Sequence, residues 1–365
     1  MPPSPSRRFT FRSGGWVLGA AVLLVFGAVA WRMVDLIGSG SSSRAIGDGK
    51  DPATYRFDLS NARAAPGAIA AAGIPRDGVR VLDLPRVVTL AGVDSIEEAR
   101  RRGRFLVSAD RIVGVTIAGR SRAYPVRLLN WHEIVNDTLA GRPIAVTWSP
   151  LAGAAVVLDR SRGAVGTVPT AATGPRWFGV SGLLWQSSLL MYDRETESLW
   201  SPLVARAIAG RQVGESLDVL PSSYETWAEW RMDHPATTVL APLPELQEAY
   251  DREPYGSYEG SDLLRFPVDP LPAREGGRPW KEVVLAVRFG TEWRPFSMRE
   301  VREKAGPAPA GTWDATIGGR QVRFTIGAEP PTMRVAPIDG GPDLPSFLCY
   351  WFAWYATHPA RPGGP

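Results

Sequence analysis

PSSYETWAEWRMDHP at residues 221–235 and PSFLCYWFAWYATHP at residues 345–359 share Pro, Ser, Trp, Trp, His and Pro at identical spacing. Six fixed positions recurring in step read as an internal duplication. Upstream, VGVTIAGRSRAYPVR (113–127) aligns without a gap on LAVRFGTEWRPFSMR (285–299), and GRPIAVT (141–147) aligns on GRQVRFT (319–325). Two units follow, unit one at 84–240 and unit two at 278–360, joined by a Pro- and Tyr-containing connector at 241–277. They are unequal: the shared Gly-Arg and the shared Trp are 86 positions apart in the first (Gly141 to Trp227) and 32 in the second (Gly319 to Trp351). What both units keep is most simply fold; what only unit one has is the better candidate for chemistry.

Outside the closing motifs, short β-branched runs punctuated by Gly, Pro and Asn dominate. Arg111–Ile117, Pro143–Trp148, Ala155–Leu158 and Val283–Val287 are examples. The expected fold is therefore α+β and β-rich, with two unequal repeats forming one compact extracytoplasmic unit. A helix is expected from a capping box at Asp94 to Glu98 through Arg100, Arg101, Arg102 and Arg104, stopped by Gly103. The duplicated His234 and His358 read as residues that close a helix end or turn, and the Trp227/Trp230 and Trp351/Trp354 pairs as core.

The chain has 365 residues, 44% hydrophobic and 21% charged, which excludes a wholly disordered, collagen-like or coiled-coil protein. One cysteine, Cys349, allows no intramolecular disulfide or CxxC pair, and three histidines cannot populate a Cys/His zinc site. Net charge is only +4 and the arginines are spread thinly, so no nucleic-acid partner is expected. No cofactor is expected either.

Gly14 to Trp31 is an uncharged run of 18 residues after Arg7, Arg8 and Arg12. As a helix it would extend about 27 Å, enough to cross a bilayer's hydrocarbon core. Residues 1–13 then form a cytoplasmic n-region, 14–31 a transmembrane signal-anchor or signal h-region, and 32–75 a tether, Gly/Ser-rich from Gly38 to Pro52. The expected location is the cell membrane, single-pass, with the C-terminal body outside the cytoplasm. Ala28-Val-Ala30 also fits a signal cleavage site, after which the body would be periplasmic or secreted. Arg7-Arg8 resembles a twin-arginine export signal with Thr10 in place of the usual apolar residue.

Unit one's private segments are Asn130–Asn136, Trp148–Gly153 and Phe178–Trp200. They hold His132, the one histidine outside the duplicated motif, with Glu133 beside it and Asp193-Arg194 further on. A general base or metal ligand could be built from His132 with Glu133 or Asp193. An enzyme reading pairs Ser149 with His132 and a carboxylate. Gly179-Val-Ser181-Gly-Leu183 lacks the second glycine of a nucleophile elbow and sits in a strand pattern. Trp131, Trp148, Trp177, Trp185 and Trp200 leave a glycan-binding reading open.

RAYPVRLLNWHEIVND (122–137), SPLAGAAVVLDR (149–160), FGVSGLLWQSSLLMYDRETESLW (178–200) and the PS-x4-W-x2-W-x3-HP ending resemble the bacterial domain of unknown function 3179 family, over about 75 to 360. Typical members read CPLCGT where this chain has Ser149-Pro-Leu-Ala152-Gly-Ala154, and some carry selenocysteine there. The resemblance implies thiol redox or soft-metal chemistry at positions 149 and 152, supported by His132, Glu133, Asp193 and Arg194. With Ser and Ala at those positions, the expectation is a degenerate thiol site and a protein that binds or interacts and does not turn over.

Overall fold

The computed structural model describes residues 45–100, 103–161, 174–274, 277–308, 310–327 and 330–358. The n-region at 1–13, the apolar run at 14–31 and the first part of the tether lie outside the described residues. Residues 46–75, read as tether, pack against the body. Tyr55 is fully buried and donates its hydroxyl to Ile74 O, and Phe57 and Ile69 join a core with Leu183, Leu190 and Tyr192. Burying such side chains contributes about 1.5–3 kcal/mol each, enough to order a segment whose Gly and Ser content alone suggests flexibility.

In chain order the body opens with β1 (Ile69–Ala71), β2 (Leu82–Asp83), β3 (Val87–Thr89) and α1 (Leu90–Ala99). Unit one continues through β4 (Arg111–Ile117), β5 (Arg120–Pro125), α2 (Val126–His132), β6 (Ile134–Leu139), β7 (Arg142–Ser149) and β8 (Ala154–Asp159). Its private stretch forms β9 (Phe178–Trp185), β10 (Ser188–Asp193), β11 (Leu199–Ser201) and β12 (Arg206–Ala209). It closes on β13 (Ser223–Thr226), α3 (Trp227–Asp233) and β14 (Thr238–Leu240). The connector carries α4 (Gln247–Tyr250) and α5 (Gly256–Glu259). Unit two runs β15 (Val283–Phe289), β16 (Glu292–Ser297), α6 (Met298–Ala305), β17 (Gly311–Ile317), β18 (Arg320–Ile326), β19 (Met333–Pro337), β20 (Ser346–Tyr350) and α7 (Trp351–Thr357).

The described strands form three sheets, so the protein is β-rich as expected. Eight strands lie in the order β17-β18-β19-β13-β4-β5-β14-β3, seven in the order β16-β15-β20-β8-β7-β6-β2, and five in the order β1-β9-β10-β11-β12. Each larger sheet takes strands from both units. They meet where β19 pairs with β13 (Met333 opposite Tyr224) and where β20 pairs with β8 (Leu348 opposite Ala155). Where the units meet, Ser222 Oγ donates to Ser346 O at 3.0 Å and Ser346 Oγ donates to Ser222 O at 3.2 Å.

The two closing motifs adopt one local geometry. Trp227 and Ala228 donate their N–H groups to Asp110 O and Ser108 O, while Trp351 and Phe352 donate theirs to Glu282 O and Trp280 O. The C-cap residues His234 and His358 have φ/ψ of −128°/66° and −128°/65°, and each imidazole lies 3.8 Å from the ring of the Trp four residues before it. Trp227, Trp230 and Trp354 are buried. Trp351 is half-buried, with the Arg278 guanidinium 3.6 Å from its ring centroid.

Helix α1 departs from its expected bounds. It starts after Thr89, whose hydroxyl accepts from Gly92 N–H, and ends at Ala99 with Arg100 as its cap, Arg101 and Arg102 lying outside the described residues. A β-branched cap at the end of β3 supplies an earlier start than the Asp94 box. Glu97, expected inside that box, caps the Leu106 N–H, and Arg100 pairs with Asp251 at 2.6 Å.

Candidate functional site

Helix α2 passes into β6 without a loop, and the residue that makes the corner is Glu133, at φ 55° and ψ −35°. A positive φ suits glycine and strains a residue with a Cβ by about 1–3 kcal/mol. The helix after the second hairpin, α6, ends on Gly306, at φ 99°.

His132 precedes it and is fully buried. Its Nδ1 lies 2.6 Å from Arg80 O and its Nε2 2.6 Å from the Tyr250 hydroxyl. A carbonyl only accepts, so Nδ1 carries the proton and Nε2 accepts from Tyr250. Desolvation pulls the imidazole pKa down to about 4, so it is neutral at pH 7 with both nitrogens engaged.

The other candidates stand apart. Ser149 Oγ accepts from Leu189 N–H at 3.0 Å. Asp193 accepts from Thr196 N–H (2.7 Å), Thr196 Oγ1 (2.6 Å) and Trp200 Nε1 (2.9 Å), closing the β10–β11 turn. Leu189 and Asp193 are four positions apart along the strand, roughly 13 Å. Arg194 pairs with Asp83 at 2.6 Å in a partly exposed bridge to β2. Glu133 O accepts from Trp148 N–H, but along β7 the Trp148 and Ser149 side chains alternate between faces. Trp148 reaches Asn130 and Tyr224, whereas Ser149 points to β10. No hydrogen bond joins His132, Ser149 and Asp193 to one another.

Several residues of the quoted strings hold the fold. Asn136 donates to Asp83 and Phe178 O and accepts from Phe178 N–H, tying β6 to β9. Asp137 takes Arg122 at 2.6 Å and Tyr124 at 2.8 Å. Arg160, fully buried, donates to Ile144 O, Arg176 O and Asp137 O. Ser181 is buried mid-strand and donates to Leu190 O, which rules out a nucleophile elbow there. Among the five tryptophans, Trp131, Trp148 and Trp200 are buried, with faces closed to a sugar. Burial raises the Cys349 thiol pKa far above its usual value, which keeps it protonated.

The loop between β7 and β8 is roofed by tyrosines. Tyr258 of the connector donates to Leu151 O at 2.8 Å, and Tyr350 N–H donates to Ala152 O at 2.8 Å. The Ala152 methyl is fully buried. Gly153 has φ 55°, and a Cβ there would lie 2.7 Å from Tyr350 Cζ. Gly153→Ala is therefore expected to cost about 1–3 kcal/mol, measured as a lower urea midpoint; an unchanged midpoint would show that Tyr350 does not seal the loop.

Connector residues that the sequence did not single out lie near Glu133. Glu133 is partly buried, and among the described residues no hydrogen bond or ion pair reaches its carboxylate; desolvation pushes its pKa up to about 7. Tyr255 lies within electrostatic range of Glu133, Arg265 and Glu253. Glu253 accepts from Asn130 Nδ2 at 3.1 Å, and Arg111 pairs with Glu259 at 2.9 Å beside Tyr224. Burial also leaves the Trp131 indole N–H without a partner. The one available signal was the run of tyrosines at 250, 255 and 258 in the connector, whose spacing matches no regular period.

Among the described residues no three His, Cys, Asp or Glu side chains gather as a metal site would need. No curated protein and no solved structure matches the chain. A family model described as protein of unknown function (DUF3179) matches residues 76–337, from the approach to β2 through β19, and so takes in the NWHEIVND helix end, the β7–β8 loop and the connector above it. The chain belongs to the DUF3179 family.

Proposed function

We propose that this protein is a binding member of its family, held to a membrane by residues 14–31 with its body outside the cytoplasm, in which the thiol site of the β7–β8 loop is degenerate. The observation that carries the reading is the closure of both loop positions. Ser149 accepts a backbone N–H at the β10 edge, and Ala152 is a buried methyl beneath Tyr350. The neutral, doubly bonded His132 supports it further, since no free imidazole stands ready to activate a nucleophile. The anchor is supported by the apolar run 14–31; among the described residues no helix is long and apolar enough to cross a membrane.

The same reading takes the body as a duplicated unit whose halves exchange strands. Its support is the matched His234 and His358 caps, the parallel Trp227 and Trp351 backbone bonds, and the reciprocal Ser222–Ser346 pair. On that basis β9 to β12 are additions to unit one, and the reading puts the ligand side there.

A fluorophosphonate probe on the purified full chain tests the binding reading. The expected result is no labelled serine. Labelling of Ser149 that disappears in His132→Ala would establish the hydrolase, and stoichiometric copper or zinc lost in the same variant would establish a metal enzyme.

A further inference from the structure

We infer that the cavity where the connector meets β15 and α6 binds a small organic oxyanion, a carboxylate or a phosphate ester, between Lys281 and Arg299. The inference rests on the binding reading above and names a ligand class for it, at a site that shares no residue with the β7–β8 loop. The cavity has a volume of about 560 Å³, and its charged lining is Glu259, Asp262, Lys281, Glu282 and Arg299. Its walls come from the end of α5, the approach to β15 and the first turn of α6. A space of that size suits an organic molecule.

The pairing of the lining charges decides the sign of the ligand. Each of the three carboxylates already holds an arginine that is not part of the lining: Glu259 pairs with Arg111 at 2.9 Å, Asp262 with Arg274 at 3.1 Å, and Glu282 with Arg278. The two cations are less well served. Lys281 Nζ donates to Tyr258 O and, at 2.7 Å, to Ser261 O, and it lies 3.2 Å from the Tyr258 ring centroid. Carbonyl groups and a ring face orient an ammonium group without cancelling its unit charge. Arg299 is exposed, and its carboxylate neighbour is Glu282 Oε1 at 3.8 Å, on the same side chain that serves Arg278. In these pairs five cations stand against three carboxylates, and Lys281 and Arg299 are the two left over. Burial, with Arg265 next, pulls the Lys281 pKa down to about 8, opposed by Asp262 and Glu259, so a bound anion would supply the counter-charge the ammonium lacks. A guanidinium fork takes two oxygens of a carboxylate or phosphate side by side, and a lysine adds a point charge.

The chain has three lysines, Lys50, Lys281 and Lys304, so NMR of the full chain in detergent micelles with 13Cε-labelled lysine resolves each of them. The Lys281 signal is identified by its loss in Lys281→Arg, which keeps the charge. Sodium succinate and sodium glycerol phosphate are titrated in turn, at the ionic strength of a sodium chloride control, to separate a carboxylate from a phosphate ligand. The expected result is a saturable shift of the Lys281 signal with one or both anions while Lys50 and Lys304 stay in place. In Arg299→Gln, a change at an exposed side chain, the affinity is expected to fall about tenfold. A Lys281 signal that ignores both anions, a shift common to all three lysines, or an affinity unchanged in Arg299→Gln would overturn the inference. None of these outcomes depends on serine labelling, so the ligand class and the binding reading fail separately.

Discussion

Replacing Trp230 by alanine is expected to lower stability by about 3–5 kcal/mol, and replacing Trp354 by a similar amount. Trp230 is 2% exposed, donates its indole N–H to Thr237 at 2.9 Å and packs so closely on β4 that a Cβ at Gly114 would meet its ring. Trp354 is 5% exposed and lies parallel to His358, next to Phe347. Each change removes a buried aromatic and leaves a cavity that the flanking strands of a large sheet cannot collapse to fill. Denaturant unfolding of the full chain, followed by circular dichroism, measures both. Comparable losses are what a duplicated scaffold requires. A loss confined to Trp230 would mean that α7 is peripheral and that the likeness of the two motifs stops at backbone geometry.

Glu133→Gln is expected to stabilise the protein at pH 8 by about 3 kcal/mol and to have little effect at pH 4. The folded pKa of about 7 lies above the ordinary 4.5, so between those values the folded state holds a proton that the unfolded state has released. Stability therefore falls as pH rises from 4.5, and the whole cost is present above pH 7. Glutamine keeps the shape and cannot ionise. Urea midpoints of both proteins from pH 4 to pH 8 give the comparison. A difference that does not vary with pH would show that the carboxylate is well solvated.

Much of the fold was legible because the signals are local. Turn glycines, β-branched runs and the spacing of Trp, Trp and His are set by contacts a few residues apart, and the strands, helices and the His234 and His358 caps lie accordingly. The start of α1 was misread because Asp94 and Thr89 both make good caps, and the end of β3 favours the threonine. The residues before 76 looked like tether because their Gly and Ser content hides three apolar anchors, Tyr55, Phe57 and Ile69.

The candidate site was legible as a region and not as an arrangement. NWHEIVND carries both a scaffold histidine and an unpaired glutamate, and nothing in the string distinguishes them. The distinction comes from Arg80, 52 residues away, and Tyr250, 118 residues away, which occupy both imidazole nitrogens of His132, while among the described residues no partner reaches Glu133.

By itself the sequence determined the β-rich class and the family, because each is written in residue identity or short-range spacing. Only the tertiary structure decided which strands share the two larger sheets, that Ser149, His132 and Asp193 serve separate local networks, and that among the described residues nothing pairs with the Glu133 carboxylate. Burial and pairing depend on which distant segments pack together, and no local pattern specifies those.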